Sequence, residues 1–114
     1  MKPATLLSAT ILALSPLASA WGLHLYDKES YKGGEIYKAT GHSSKGCTNL
    51  PASARNKAES MHWYSDYELF EVVIYADTGC KNELGKSRGD WHLPAMSSKA
   101  KNNIESFKVN GLSL

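Results

Sequence analysis

The chain has 114 residues, 42% of them hydrophobic, with 21% charged residues and a formal net charge of +2. That is room for one small domain. The charges of both signs are interspersed with no basic block, which argues against nucleic acid or an anionic membrane as the main partner.

Residues 1–20, MKPATLLSATILALSPLASA, read as a secretory leader. Lys2 supplies a short positive start, Leu6 to Leu17 is mostly apolar, and Ala18-Ser19-Ala20 is a small-residue cleavage site. The apolar run is too short to span a bilayer and no second one follows, so no transmembrane segment is expected. The mature domain is 21–114, secreted and extracellular. An exported chain meets an oxidising environment, and Cys47 with Cys80 allows one intramolecular bridge. On the chain-entropy view a loop of that length contributes about 3–4 kcal/mol.

The mature part begins with WGLHLY (21–26), a short alternating run that predicts a strand. YDKESYKGG (26–34) follows. It is too polar and glycine-terminated for a helix and too long for a two-residue hairpin turn. EIYKAT (35–40), MHWYS (61–65) and FEVVIY (70–75) read as further strands, separated by Gly, Ser, Pro and Asn. PASARNKAESM (51–61) and MSSKAKNN (96–103) each have room for one helical turn, and no window carries a sustained helical period.

The chain also resembles itself. YDKESYKG (26–33) aligns with YADTGCKN (75–82), GCTNLP (46–51) with GDWHLP (89–94), and RNKAESM (55–61) with KNNIESF (101–107). The blocks keep their order and nearly the same displacement, and the small differences are changes of loop length. The pattern predicts two repeats of about four strands each in an antiparallel β-domain. In the first repeat Gly33 takes a positive-φ position. In the second, Asn82 stands there, one of the few other residues that tolerate it. Ser60 and Ser106, later in each repeat, are placed to bond the folded segment.

Tyrosine, four residues, an aromatic, one residue and glycine, with a serine further along, resembles the Greek-key motif of the βγ-crystallin superfamily. Tyr26, Tyr31, Gly33 and Ser60 match it. The second copy keeps Tyr75 and Ser106 but has Cys80 for the aromatic and Asn82 for the glycine. The resemblance covers essentially all of 21–114 and implies motif one over 21–66 and motif two over 67–114. It implies a wedge-shaped β-sandwich in which each sheet takes its third strand from the other motif. A single domain with a leader and one disulfide is similar to small secreted fungal proteins.

Many microbial members bind calcium through an Asn/Asp-Asn/Asp-x-x-Ser/Thr-Ser stretch in each motif. The aligned residues are Arg55-Asn56-Lys57-Ala58-Glu59-Ser60 and Lys101-Asn102-Asn103-Ile104-Glu105-Ser106. Asn56 and Asn102 are kept, a cation precedes each, and Glu59 and Glu105 replace the hydroxyl ligand. Calcium favours oxygen ligands, whereas an adjacent cation opposes it. The sequence therefore predicts no cofactor, with calcium at Glu59 and Glu105 as the alternative.

Acid–base residues are sparse. His24, His42, His62 and His92 show no metal-ligand spacing, and no Gly-x-Ser-x-Gly is present. Asp90 and His92 share a strand face, which reads as a turn entering a strand. Arg88-Gly89-Asp90 is the tripeptide that integrin-type receptors read, a weak signal at three residues. In HWYSDYELF (62–70) Trp63 or Tyr64 points inward but not both, and an exposed aromatic beside Asp66 and Glu68 suits a protein- or sugar-binding surface. The reading is a non-enzymatic, monomeric β-sandwich that binds an extracellular protein or a cell-wall glycan, as a fungal effector or an antimicrobial or killer-type toxin. The alternatives are a calcium-binding structural protein and an inhibitor of a secreted protease that presents a loop near Cys47 or Cys80.

Overall fold

Strict alternation along WGLHLY places Trp21, Leu23 and Leu25 on one side and His24 and Tyr26 on the other, and the first three side chains are buried. The same logic builds eight strands in the computed structural model, which describes residues 19–111. The leader expected over 1–20 lies outside the described residues except for Ser19 and Ala20. In chain order the strands are β1 (Trp21–Tyr26), β2 (Glu35–Gly41), β3 (Lys45–Asn49), β4 (Ser60–Ser65), β5 (Phe70–Asp77), β6 (Lys81–Ser87), β7 (Trp91–Leu93) and β8 (Ser106–Gly111). Short 3-10 turns occupy Glu29–Tyr31 and Asp66–Glu68.

Two four-stranded antiparallel sheets result, with orders β2-β1-β4-β7 and β3-β8-β5-β6. Each half of the chain forms a Greek key and gives its third strand to the other half's sheet. This exchange is the architecture that the resemblance implies. It makes the two halves interdependent, because neither sheet is complete without a strand of the other half. The sheets face each other across Trp21, Leu23, Leu25, Met61 and Trp63 on one side and Val72, Ile74, Phe107 and Val109 on the other. Trp21 and Trp63 stack with ring centroids 5.8 Å apart. Leu50, Ala54, Ala58, Ile104 and Met96, from the connecting loops, complete the core.

The two segments with room for a helical turn form hydrogen-bonded turns, and no α-helix occurs among the described residues. Ala54 and Arg55 both donate to the Pro51 carbonyl, so one loop reaches a single turn and stops. Asn56 then takes φ 58, a left-handed conformation that ends helical geometry, and Asn102 does the same at φ 57 in the second loop. Among the described residues no helix is long and apolar enough to cross a membrane.

Candidate functional site

In the first half the segment after β1 folds back over the sheet. Ser30, Tyr31 and Gly33 all have positive φ, at 58, 59 and 72°. A Cβ on Gly33 would lie 2.1 Å from the Asp27 carboxylate, which accepts a hydrogen bond from the Gly34 amide at 2.9 Å. Glycine is therefore required twice at this position, by conformation and by space. The fold-back is pinned from below by Ser60, whose hydroxyl donates to the Lys28 carbonyl at 2.6 Å and accepts from the Tyr31 amide at 3.1 Å.

The second half repeats this without the aromatic or the glycine. Gly79, Cys80 and Asn82 take φ 75, 57 and 60°. Ser106 donates to the Asp77 carbonyl and accepts from the Cys80 amide at 3.0 Å. The Asn82 side-chain amide donates to the Asp77 carboxylate. Tyr75, matching Tyr26, is buried at the end of the core strand, with the Lys108 ammonium 6.0 Å from its ring centre. In place of an aromatic lid, Cys80 is disulfide-bonded to Cys47, with Cα atoms 5.8 Å apart. The bridge ties the fold-back of the second half to β3, the strand that the first half contributes to the same sheet. Both serines are fully buried.

The stretches aligned with a calcium motif meet at the seam between the halves. The Asn56 amide N–H donates to the Ile104 carbonyl at 2.9 Å, and that of Asn102 donates to the Ala58 carbonyl at 2.8 Å. The side chains repeat the exchange. Asn56 Nδ2 donates to Glu105 Oε2 at 2.7 Å, and Asn102 Nδ2 donates to Glu59 Oε2 at 3.3 Å. The Lys101 ammonium lies 3.3 Å from Glu29 and 3.9 Å from Glu59. A calcium ion needs oxygens directed at it. Here each asparagine amide is engaged with a glutamate of the other half, and the Lys101 ammonium beside Glu59 opposes a divalent cation there. The donor set and the local charge fit calcium poorly.

Outside the first sheet lies a cluster that the sequence reading did not assemble. His24, His62 and His92 are register partners across β1, β4 and β7. Alternation puts all three on the outer face, since Leu23, Leu25, Met61 and Trp63 face inward. His62 Nδ1 and His92 Nδ1 are 2.6 Å apart, so one ring donates and the other accepts. Tyr31, brought over by the fold-back, stacks on His62 with centroids 3.8 Å apart and planes 19° apart, while Tyr26 meets it edge-on. Burial, then His92 and His24, lower the His62 pKa below the ordinary imidazole value. His24 is engaged by Glu35 at 2.7 Å. Burial, then the nearby Glu35 charge, raise the Tyr26 phenol above its usual range. One sequence cue marks the cluster: His62-Trp63 and Trp91-His92 are reversed copies, as antiparallel pairing of like with like requires.

Asp90 and His92 do share a neighbourhood, with Asp90 Oδ2 3.9 Å from His92 Nε2, while Asp90 Oδ1 accepts from the Ser65 amide at 3.3 Å. The histidine's close partner is His62, not a hydroxyl. Trp91 of the Arg-Gly-Asp-Trp stretch packs against the core. Trp63 points inward and Tyr64 outward, its ring closing over Gly22. Tyr67, in the turn that joins the two halves, is 91% exposed. Its φ is 54° and that of Glu68 is 56°. Among the described residues the surface carries no pocket.

Compared with known proteins, the sequence matches no family model and no curated protein. Its structure is similar to a βγ-crystallin domain from Clostridium beijerinckii, with a TM-score of 0.57 at 13% identity, over 78% of this chain and 97% of that one. It is similar also to a βγ-crystallin domain from Flavobacterium johnsoniae, with a TM-score of 0.54 at 14% identity, over 81% and 97%.

Proposed function

We propose that this chain, which has the βγ-crystallin fold, acts outside the producing cell as a non-enzymatic binding domain of the effector or toxin type, with Tyr67 as its principal contact. Fold alone does not give function, so the proposal rests on the site. The observation that carries it is the exposed Tyr67 ring, 91% accessible on a turn with two consecutive left-handed non-glycine residues. Each such residue costs of order 1–3 kcal/mol and persists where the surroundings hold it. Here Ser65 and Asp90 hold the turn from beneath, Ser65 by accepting from the Phe70 amide at 2.9 Å. A rigidly presented tyrosine between Asp66 and Glu68 suits a protein surface or a sugar ring with basic or hydroxyl groups around it. The disulfide fits an oxidising compartment.

The domain does this without calcium. Asn56 and Asn102 satisfy Glu105 and Glu59, and Lys101 supplies positive charge beside Glu59.

The test is exposure of plant, yeast and bacterial cells to the purified oxidised protein, alongside Tyr67→Ala. Tyr67 makes little contact with the rest of the chain, so the variant keeps its melting temperature. A response in one cell type at low concentration, reduced at least tenfold by Tyr67→Ala, is the expected result. An inert protein on all three, or full activity of the variant, overturns the proposal.

A further inference from the structure

We propose that His62 and His92 form a surface site for a divalent transition metal, bridging the two halves of the sandwich. The two nitrogens already face each other, Nδ1 to Nδ1, at 2.6 Å. Two imidazole nitrogens on one tetrahedral zinc ion stand about 3.3–3.4 Å apart, because each Zn–N bond is about 2.0–2.1 Å. The rings need to separate by about 0.7–0.8 Å and turn so that both lone pairs converge on the ion, a change within reach of side-chain rotation. His62 is pre-set for this role by the Tyr31 stack and the Tyr26 edge contact, which fix its ring plane. On His92 the far nitrogen, Nε2, lies 3.9 Å from the Asp90 carboxylate. At that distance the carboxylate makes no hydrogen bond to the ring but adds favourable negative charge beside a metal-bound imidazole.

The site has two ligands among the described residues. Among the described residues no three histidine, cysteine, aspartate or glutamate side chains converge on one point. His24, next in the row, is held 2.7 Å from Glu35. The remaining coordination positions face solvent and are open to water or an incoming donor, with one protein ligand fewer than in a catalytic zinc site. Imidazole suits zinc, copper and nickel over calcium or magnesium. The location gives the site a structural consequence. β7 is a three-residue edge strand contributed by the second half to the first half's sheet. An ion shared by His62 of β4 and His92 of β7 ties that strand down.

The experiment titrates ZnCl₂ into the oxidised protein at neutral pH and follows the imidazole NMR resonances and the melting temperature. The expected result is a shift of the His62 and His92 signals with none at His42, a Tm raised by several degrees, and reversal by EDTA. His92→Gln loses both effects, and His24→Gln keeps both. The resonance map of the unaltered protein decides the matter even where a variant folds poorly. Unmoved His62 and His92 signals at millimolar zinc, or a Tm rise that survives in folded His92→Gln, overturn the proposal.

Discussion

Ser60 and Ser106 show how much a single buried hydroxyl can organise. Each bonds a carbonyl and an amide on opposite sides of a fold-back, and each is fully buried. Replacing Ser60 by alanine orphans the Lys28 carbonyl and the Tyr31 amide, at about 1–3 kcal/mol for a buried group left unpaired. Urea unfolding of Ser60→Ala is expected to show that loss with an unchanged m-value; a midpoint like that of the unaltered protein would mean the fold-back is held by other contacts. Gly33→Ala has a second origin of strain. It puts a Cβ into the Asp27 carboxylate and a left-handed φ on alanine, so a loss of at least about 1 kcal/mol is expected in the same measurement. These positions are legible in the sequence because few residues meet their demands. Asn82 is readable for the same reason, since asparagine tolerates its φ of 60°. Cys80 is readable as a bridge to Cys47, since two cysteines in an exported chain allow one pairing, although its counterpart Tyr31 is an aromatic that stacks on a histidine.

At the scale of elements, the outer face of the β2-β1-β4-β7 sheet sets a pH dependence. His62 of β4 faces His24 of β1 and His92 of β7, with Tyr26 and Tyr31 against its ring, Glu35 of β2 on His24, and Asp90 beside His92. Its folded pKa is lowered by burial and by the two neighbouring histidines. In the unfolded chain it titrates near about 6.5. Between the two values the unfolded state binds more protons, so stability rises with pH there. The His62 contribution is fully present above about 6.5 and is lost as the pH falls through the lower folded value. Denaturation midpoints from pH 8 to 5 are expected to fall below about 6.5, with a shallower fall in His62→Gln. Equal slopes would show that other groups carry the dependence. The individual strands are legible from alternation, as in WGLHLY and FEVVIY. The histidine pair is not, because it depends on the register of strands 30 residues apart in sequence. The turns at 51–61 and 96–103 look like starts of helices, and the left-handed Asn56 and Asn102 stop them.

In the whole molecule, the exchange of third strands makes the halves one cooperative unit, and the disulfide adds a covalent tie between β3 and the second fold-back. Its separation of 33 residues gives about 3–4 kcal/mol by chain entropy. Cys47→Ser with Cys80→Ser is expected to lower stability by that order without changing the sheet content seen by circular dichroism. A loss below about 1 kcal/mol would place the tie outside the main supports of the fold. The two-fold repetition of the chain makes two units of about four strands readable, and the exchange of third strands follows from the resemblance that Tyr26, Tyr31, Gly33 and Ser60 carry. The seam is less legible. Glu59 and Glu105 read equally as metal ligands or as partners of neighbouring side chains, and no sequence signal places them opposite Asn102 and Asn56. At this seam protein groups alone hold the halves together. Thermal unfolding of the oxidised protein in EDTA and in millimolar calcium tests it most directly, because an ion bound only by the native state raises Tm by mass action. The same Tm is expected in both; a clear rise in calcium that disappears in Glu59→Ala with Glu105→Ala would mean that an ion helps to hold the seam.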